Sequence, residues 1–536
     1  MVTIRRKTDV RPTTGCNSVE RGGKVRGMRN TVIDFITRRI DMHVRCCTTT
    51  TTNSRTCFLL RAAAVMTALA VSTVGAAQGQ APPPSAEHPP VTFTEDVAAI
   101  VFDHCVSCHR PDGVAPMSLT TYEEVRPWAR SIRQAVVTRA MPPWKADSGD
   151  VAFSGDRRLS ESAIDTLVRW VDAGAPLGDP SRLPPLPPPA TAWSMGEPDL
   201  VVRMPEAFPV PAEGRDVYRD FVLPLNLDRD VWVKGVDFRP SAPSTHHSLF
   251  VIDDTGTARE QEGRDGLPGF AGGMGSLLVG NGRGATPGAA PDGAEGRRQA
   301  ARSLGGWAPG ARAYLLPDDL AYFVPQGSDL ILSTHFHPSG VETEEASTVA
   351  LYFAELPPSK AFTRIDLPPL FGALAGIDIP AGDENYTISD SFVIPVAVRA
   401  FDSAAHAHYL GRTMTMTATL PDGTNRTLLG IGDWDFSWQG QYPFADYVEL
   451  PAGTRLDVTI TYDNSAGNPR RPSEWPIRVG WGKQSTDEMG SMSLFVVAAD
   501  ETELPELQQA YRDHRRGRSR EAMFSGTLPA ALLGGR

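Results

Sequence analysis

Leu456-Asp457-Val458-Thr459-Ile460-Thr461-Tyr462 alternates apolar and polar residues with a period of two. Such a pattern places one row of side chains on a core and the other in water, as in a half-buried β-strand. Pro451-Ala452-Gly453 precedes it and Asp463-Asn464 follows, both turn signals. Working outward, Val231-Trp232-Val233-Lys234-Gly235-Val236 repeats the alternation, and Pro421-Asp422-Gly423 marks another turn. Short alternating runs between turns predict an all-β body of sandwich type over about 195–500. The 49 Gly and 46 Pro of this 536-residue chain fit that reading better than a helical bundle. One segment departs from it: Arg259–Ser303 is Gly-rich and polar and reads as a long loop.

Toward the N-terminus the pattern becomes helical. Val97, Ile100 and Val101 lie on one helical face, with Thr94 as candidate cap. Thr121-Tyr122-Glu123-Glu124 reads as a capping box, followed by a helix whose Val125, Trp128, Ile132 and Val136 would turn inward. A third helix, Glu161–Ala173, would end at Gly174 and bury Ile164, Leu167, Val168 and Val171. Between the first two helices stands Cys105-Val106-Ser107-Cys108-His109, a CxxCH motif. Two thiols three residues apart can each bond a haem vinyl group, and His109 is placed to ligate the iron. A redox disulfide or half a zinc site would be the plainer reading, but the chain has no second CxxC. The three helices around CxxCH resemble a small class I cytochrome c over 92–178. Met141, fixed before Pro142-Pro143, is the expected distal ligand, with Met117 as competitor. A Pro-rich spacer, 179–194, separates this module from the β body.

Charge and leader bound the function classes. The net charge is −11, yet residues 1–61 hold 13 Lys/Arg against 4 Asp/Glu. That surplus of nine leaves −20 for the remainder. An acidic body argues against nucleic acid and anionic membrane surfaces as partners. Arg55 and Arg61 precede the apolar run Ala62–Val74 and the small residues GAAQGQA, the pattern of a secretory signal peptide, with 1–77 as leader and 78–91 as linker. Thirteen residues are too few for a stable membrane span. A periplasmic or secreted location follows, which suits covalent haem. Residues 1–54 have no core pattern and read as an over-extended start.

Six of the seven histidines beyond the CxxCH motif fall in three pairs: His246-His247, His335-Phe336-His337 and His406-Ala407-His408. On a strand, i and i+2 share a face, so His406 and His408, or His335 and His337, can reach one metal. His246 and His247 would point apart unless the strand kinks. Without a thiolate, such imidazole sites suit copper or zinc.

The ordered set HHSLFV (246–251), STHFHPSG (333–340), AHAHYLGR (405–412) and STDEMG (485–490) resembles the copper type II, ascorbate-dependent monooxygenases, the family of peptidylglycine α-hydroxylating and dopamine β-monooxygenases. GWAPG (306–310) and YDNSAGNPRRP (462–472) agree, and the similarity is greatest to bacterial members with an N-terminal cytochrome c. The resemblance covers about 93–500. It implies a small all-α cytochrome c domain followed by two antiparallel β-sandwich (jelly-roll-like) domains, 195–358 and 359–500, with a solvent cleft between them and a C-terminal tail, 501–536. It implies an electron-transfer copper on His246, His247 and His335, and an oxygen-handling copper on His406, His408 and Met489, whose soft thioether favours Cu(I). His337 would have no ligand role. The nearby Met414, Met416 and Met492 read as core.

One haem c and two coppers are therefore expected. The partners would be O2, a small-molecule substrate and an electron donor, an ascorbate-like reductant or a redox protein, with the haem feeding electrons to copper. Where the peptide-amidating enzymes hold a peptide carboxylate with Arg, Asn and Tyr, this chain has Ala404, Ser491 and Ser493, so a peptidylglycine substrate is not implied. The rival expectations are a non-catalytic haem/copper electron-transfer or copper-binding protein, and a lectin-like β-sandwich whose histidines bind nothing.

Overall fold

The computed structural model describes residues 91–529 apart from 112–114, 116, 188–192, 194, 273–302, 309–310, 312 and 318–319. The leader, the signal sequence and most of the following linker lie outside the described residues, as does most of the Gly-rich stretch.

The chain is β-rich and built of several modules, with one group of helices ahead of the strands and one long helix after them. A π-helical turn, Phe93–Val97, leads into α1 (Ala98–His104), followed by α2 (Tyr122–Val125), a 3-10 turn (Arg126–Trp128), α3 (Ala129–Val137) and α4 (Glu161–Asp172). Val97, Val101, Val125, Leu167 and Trp170 form their common core. The capping box is present: Glu124 N donates to Thr121 Oγ1 at 3.3 Å, and Glu124 Oε2 accepts from Thr121 N at 3.1 Å. The first helix starts two residues earlier than the Thr94 cap implies, with Thr92 at the cap position, and Thr94 is buried instead. The predicted second helix is broken at Pro127, whose ring cannot supply a backbone donor, and the resulting turn leaves Trp128 42% exposed rather than inward. Trp170, unassigned in the sequence reading, takes the central place.

The first β module contains β1 (Leu200–Arg203), β2 (Phe208–Val210), β3 (Val217–Pro224), β4 (Val231–Arg239), β5 (Thr245–Asp253), β6 (Phe270–Ala271), β7 (Ser303–Trp307), β8 (Tyr322–Val324), β9 (Asp329–Phe336), β10 (Thr343–Glu345) and β11 (Thr348–Phe353). One antiparallel sheet runs β6-β3-β9-β5-β7 and another β1-β11-β4-β8. Leu223, Ile252 and Leu332 of the first meet Val233, Val349 and Leu351 of the second in one core. The alternation at 231–236 is realised: Val231 and Val233 are buried and Trp232 and Lys234 are not.

The second β module contains β12 (Phe362–Leu367), β13 (Asp378–Ile379), β14 (Tyr386–Val393), β15 (Val398–Ala407), β16 (Gly411–Thr419), β17 (Asn425–Ile431), β18 (Gln441–Leu450), β19 (Arg455–Tyr462), β20 (Val479–Gly480) and β21 (Gly490–Ala498). Its sheets are β12-β21-β15-β18 and β14-β19-β16-β17. Met414, Met416 and Met492 lie in the core between them, as the sequence implied. The opposite face of the β15 sheet contributes Phe362, Phe401, Phe495 and Val497 to the first module's core. At about 1.5–3 kcal/mol for each fully buried apolar side chain, that shared core holds the modules together.

Two further connections matter for the site. After α3 the chain runs onto the second module: Asp147 N donates to Gly430 O at 2.7 Å, Ser154 N to Pro443 O at 2.7 Å, and Lys145 pairs with Asp433 at 3.1 Å. In the segment read as a tail, α5 (Leu504–Ser525) buries Leu504, Leu507 and Tyr511 on the same module. Among the described residues, no helix is long and apolar enough to cross a membrane.

Candidate metal centres

His246 and His247 are adjacent, yet both imidazoles join one cluster because β5 carries a bulge. Thr245 pairs with Phe336 and His247 with His335, so His246 is the extra residue of the bulged strand. The three Nδ1 atoms converge: His246 to His247 at 3.0 Å, and His335 to His247 at 3.3 Å. The three residues offer ligand atoms all within 4.8 Å of one another. Each such contact needs one nitrogen as donor and the other as acceptor, whereas a cation satisfies all three lone pairs at once. Burial holds the imidazoles neutral, the form that ligates metal. It pushes His246 down to about 3 and His247 well below its ordinary value, and lowers His335 against the attraction of Asp216.

Asp216 braces this group. His335 Nε2 lies 3.1 Å from Asp216 Oδ2, close but off the line of a hydrogen bond, and His337 Nδ1 donates to Oδ1 at 2.8 Å. Ser485 N donates to Oδ2 at 2.8 Å. Burial alone would raise the Asp216 carboxyl, but the two imidazoles and Ser485 outweigh it and hold it well below the carboxylate range. His337 is 46% exposed at its side chain and lies outside the nitrogen cluster. Tyr218 stacks on His335 at 4.3 Å.

The second set is built differently. In β15 the register shifts between Ala400 and Asp402. Beyond that bulge Ala405 and Ala407 enter the second module's core, so His406 and His408 take the opposite side, toward the first module. His406 Nδ1 donates to Gln439 Oε1 at 2.5 Å and His408 Nδ1 to the Asp487 carbonyl at 3.1 Å. These bonds fix the tautomer and leave Nε2 as the ligand nitrogen. Both Nε2 atoms are buried without a hydrogen-bond partner, as is that of His246. Burial lowers His406 to about 4 and His408 well below its usual value.

Met489 stands eighty-one positions from His408 in sequence and beside it in the fold. Glu488, fully buried, accepts backbone N–H bonds from His408 at 3.0 Å, Leu410 at 2.6 Å and Met489 at 3.1 Å. Burial pushes its carboxyl up to about 8 against those three donors. Tyr462 Oη donates to the Met489 carbonyl at 3.0 Å, and Gly490 leaves no room for a Cβ against that hydroxyl. Met489 is 2% exposed and packs in neither hydrophobic core, unlike the other three methionines of this module.

The two sets adjoin. The rings of His247 and His406 are 6.1 Å apart, and Phe436 stacks on His246 at 4.0 Å while meeting His408 edge-on at 5.6 Å. Phe436 thus contacts a histidine of each set. Ala404 and Ser493 are cross-strand partners, as are His406 and Ser491, so the positions that depart from the peptide-amidating pattern lie together beside the second set.

In the helical module Cys105 and Cys108 are free thiols on one turn, where His109 N donates to Cys105 O at 2.9 Å. Burial pushes the Cys105 thiol up to about 12. His109 Nδ1 donates to the Met117 carbonyl at 3.2 Å, which leaves Nε2 for a ligand, and burial lowers its pKa. These groups fit a covalently held haem. Met141 is half-buried after α3, its N–H bonded to Ala135 O at 3.2 Å, whereas Met117 packs on the helical core.

Asp216, Gln439 and Phe436 were not singled out in the sequence, since each is remote from the ligand it serves. Glu488 lies inside STDEMG, the one signal that could have drawn attention to it.

No protein-family model matches the chain, and no curated protein matches it. Solved structures overlap it slightly. The major capsid protein P2 of bacteriophage PM2 shares 10% identity over 53% of this chain and 98% of its own, with a TM-score of 0.21. PNGF-II shares 9% over 56% and 65%, at 0.22. A Paenibacillus xanthan lyase shares 10% over 55% and 24%, at 0.15. Overlaps this slight carry no argument about function.

Proposed function

We propose that the chain is an exported haem- and copper-dependent monooxygenase. It would belong to the copper type II, ascorbate-dependent family, with a cytochrome c domain ahead of two β-sandwich copper domains. It hydroxylates an activated C–H bond of a small-molecule substrate with O2 and two electrons from an ascorbate-like reductant or a redox protein. The observation that carries this reading is the pair of buried nitrogen sets. One converges through three Nδ1 atoms, and the other offers two unpartnered Nε2 atoms beside Met489. When bound, one haem c and two coppers supply single-electron transfer and oxygen chemistry.

The chain's own residues prepare the sites. Cys105 and Cys108 would hold the haem, with His109 and Met141 as its ligands. His246, His247 and His335 would hold the first copper, with Asp216 orienting His335. His406, His408 and Met489 would hold the second, with Gln439 and the Asp487 carbonyl fixing the two rings and Glu488 tying Met489 to His408.

Metal and haem quantification on the purified full chain tests this: one haem and two coppers are expected, with reductant-driven O2 uptake. Haem staining after denaturing electrophoresis should be lost in the Cys105→Ala, Cys108→Ala double variant. Met141→Ala should abolish the sulfur-to-iron absorption band of ferric haem; loss in Met117→Ala instead would reassign the ligand. A second reading, a copper-binding or electron-transfer protein without catalysis, draws on the depth of the cluster, where His335 is 1% and His408 0% exposed. Two bound coppers without O2 uptake would favour it.

A further inference from the structure

A chamber of about 550 Å³ lies where the helical module's trailing segment, the first β module and the second meet. Its size falls within the roughly 300–1,000 Å³ of small-molecule sites. Trp144 enters from the trailing segment, Tyr314 from the first module, and Phe401, Trp438, Tyr442 and Tyr447 from the second. Trp144 and Tyr442 meet edge to face at 5.3 Å and 89°. Ring faces and edges set at right angles make a slot that favours a flat π-system over a saturated ring of equal bulk.

The charged side chains of the wall nearly cancel. Lys145 lies 3.1 Å from Asp433 and 3.7 Å from Asp435, while Arg157, over the Trp144 ring at 5.9 Å, and Asp446 are of opposite sign. The Trp144 indole N–H is buried without a hydrogen-bond partner among the described residues and has no surface open to the chamber, so a donor for an acceptor oxygen comes instead from the wall's Gln441. Gln441 adds a carboxamide, with Nε2 3.5 Å from Asp402.

We propose that this chamber binds an uncharged, planar aromatic molecule bearing an oxygen acceptor. The site goes beyond the metal reading and does not rest on it, since none of the six histidines lines the chamber. The two are nonetheless neighbours: Trp438 and Gly440 wall the chamber, while Gln439 between them holds His406.

Calorimetric titration of the purified full chain with naphthol and with decahydronaphthol tests the proposal, because the two probes share a skeleton and a hydroxyl and differ in aromaticity. Naphthol should bind at least about tenfold more tightly. Trp438→Ala removes one wall, and Ala445→Trp narrows the mouth from an exposed position. Each should weaken naphthol about tenfold, with an unchanged melting temperature as the check on folding. If Trp438→Ala does not fold, Ala445→Trp alone decides. Equal affinity for the two probes, or naphthol binding unaltered in the folded variants, would overturn the proposal. Copper content and O2 uptake are read separately, so failure here leaves the monooxygenase reading untouched.

Discussion

The two histidine sets solve one problem in different ways. On β5 and β9, three imidazoles turn the same nitrogen toward one another, and the strain of converging lone pairs is left for a cation to relieve. Around β15, each imidazole is first anchored through Nδ1 to an oxygen, and only Nε2 is offered. The first set therefore presents nitrogens bonded to one another, and the second presents two nitrogens with no hydrogen-bond partner among the described residues. The rings of His247 and His406 are 6.1 Å apart, yet the two sets differ in the partners that orient them.

Several substitutions would break or sharpen that comparison. The largest effect is expected from Glu488→Ala. Three buried backbone N–H groups lose their acceptor, at about 1–3 kcal/mol each. Chemical denaturation should show a loss of several kcal/mol, and the His406/His408 site should lose its geometry before the other. If stability is unchanged, the carboxylate does not organise that site. Next come the braces. Gln439→Leu should weaken metal binding at the second set about 10–100-fold and spare the first, and Asp216→Asn should do the reverse. Competition titrations with a Cu(I) chelator would show whether the two sets respond separately; equal losses at both would merge them into one centre.

Met489→Ile removes the thioether while nearly keeping the volume. Cu(I) affinity of the second set should fall with the fold intact, and the haem spectrum should not change. An unaltered affinity would return Met489 to packing.

The smallest effect concerns Asp402, which joins the modules through a hydrogen bond from Tyr314. Burial raises its carboxyl to about 7, despite that bond and the backbone donors. Between about 4, the unfolded value, and 7 the native state keeps a proton that the unfolded chain gives up. Stability from this group is therefore greatest at low pH and is lost as pH rises through that window. Urea midpoints at about pH 3.5 and about pH 8, either side of it, should differ less in Asp402→Asn than in the parent chain.

How much of this was legible in the sequence depends on range. Alternation at 231–236 and 456–462 showed the strands because period and burial are local. The capping box was legible for the same reason. The HxH spacing showed that His406 and His408 share a face, yet not which face, since that depends on a bulge no residue type announces. Trp128 was misplaced because its neighbour Pro127 rotates the helix, a clue present in the sequence but outweighed by the apolar spacing. The α5 helix escaped notice because its run of arginines hides the few residues it buries. Asp216 and Gln439 could not be found, since only tertiary structure brings them to a histidine.

The bulge in β15 has one more consequence. Because one supernumerary residue decides which way His406 and His408 face, the length of the segment between Val398 and Ala405 is itself a heritable trait, as binding as the identity of the ligands. A single-codon deletion there would keep every histidine and turn the pair into the methionine-lined interior. Descendants of this chain can exchange many side chains along β15, but they cannot change its count by one.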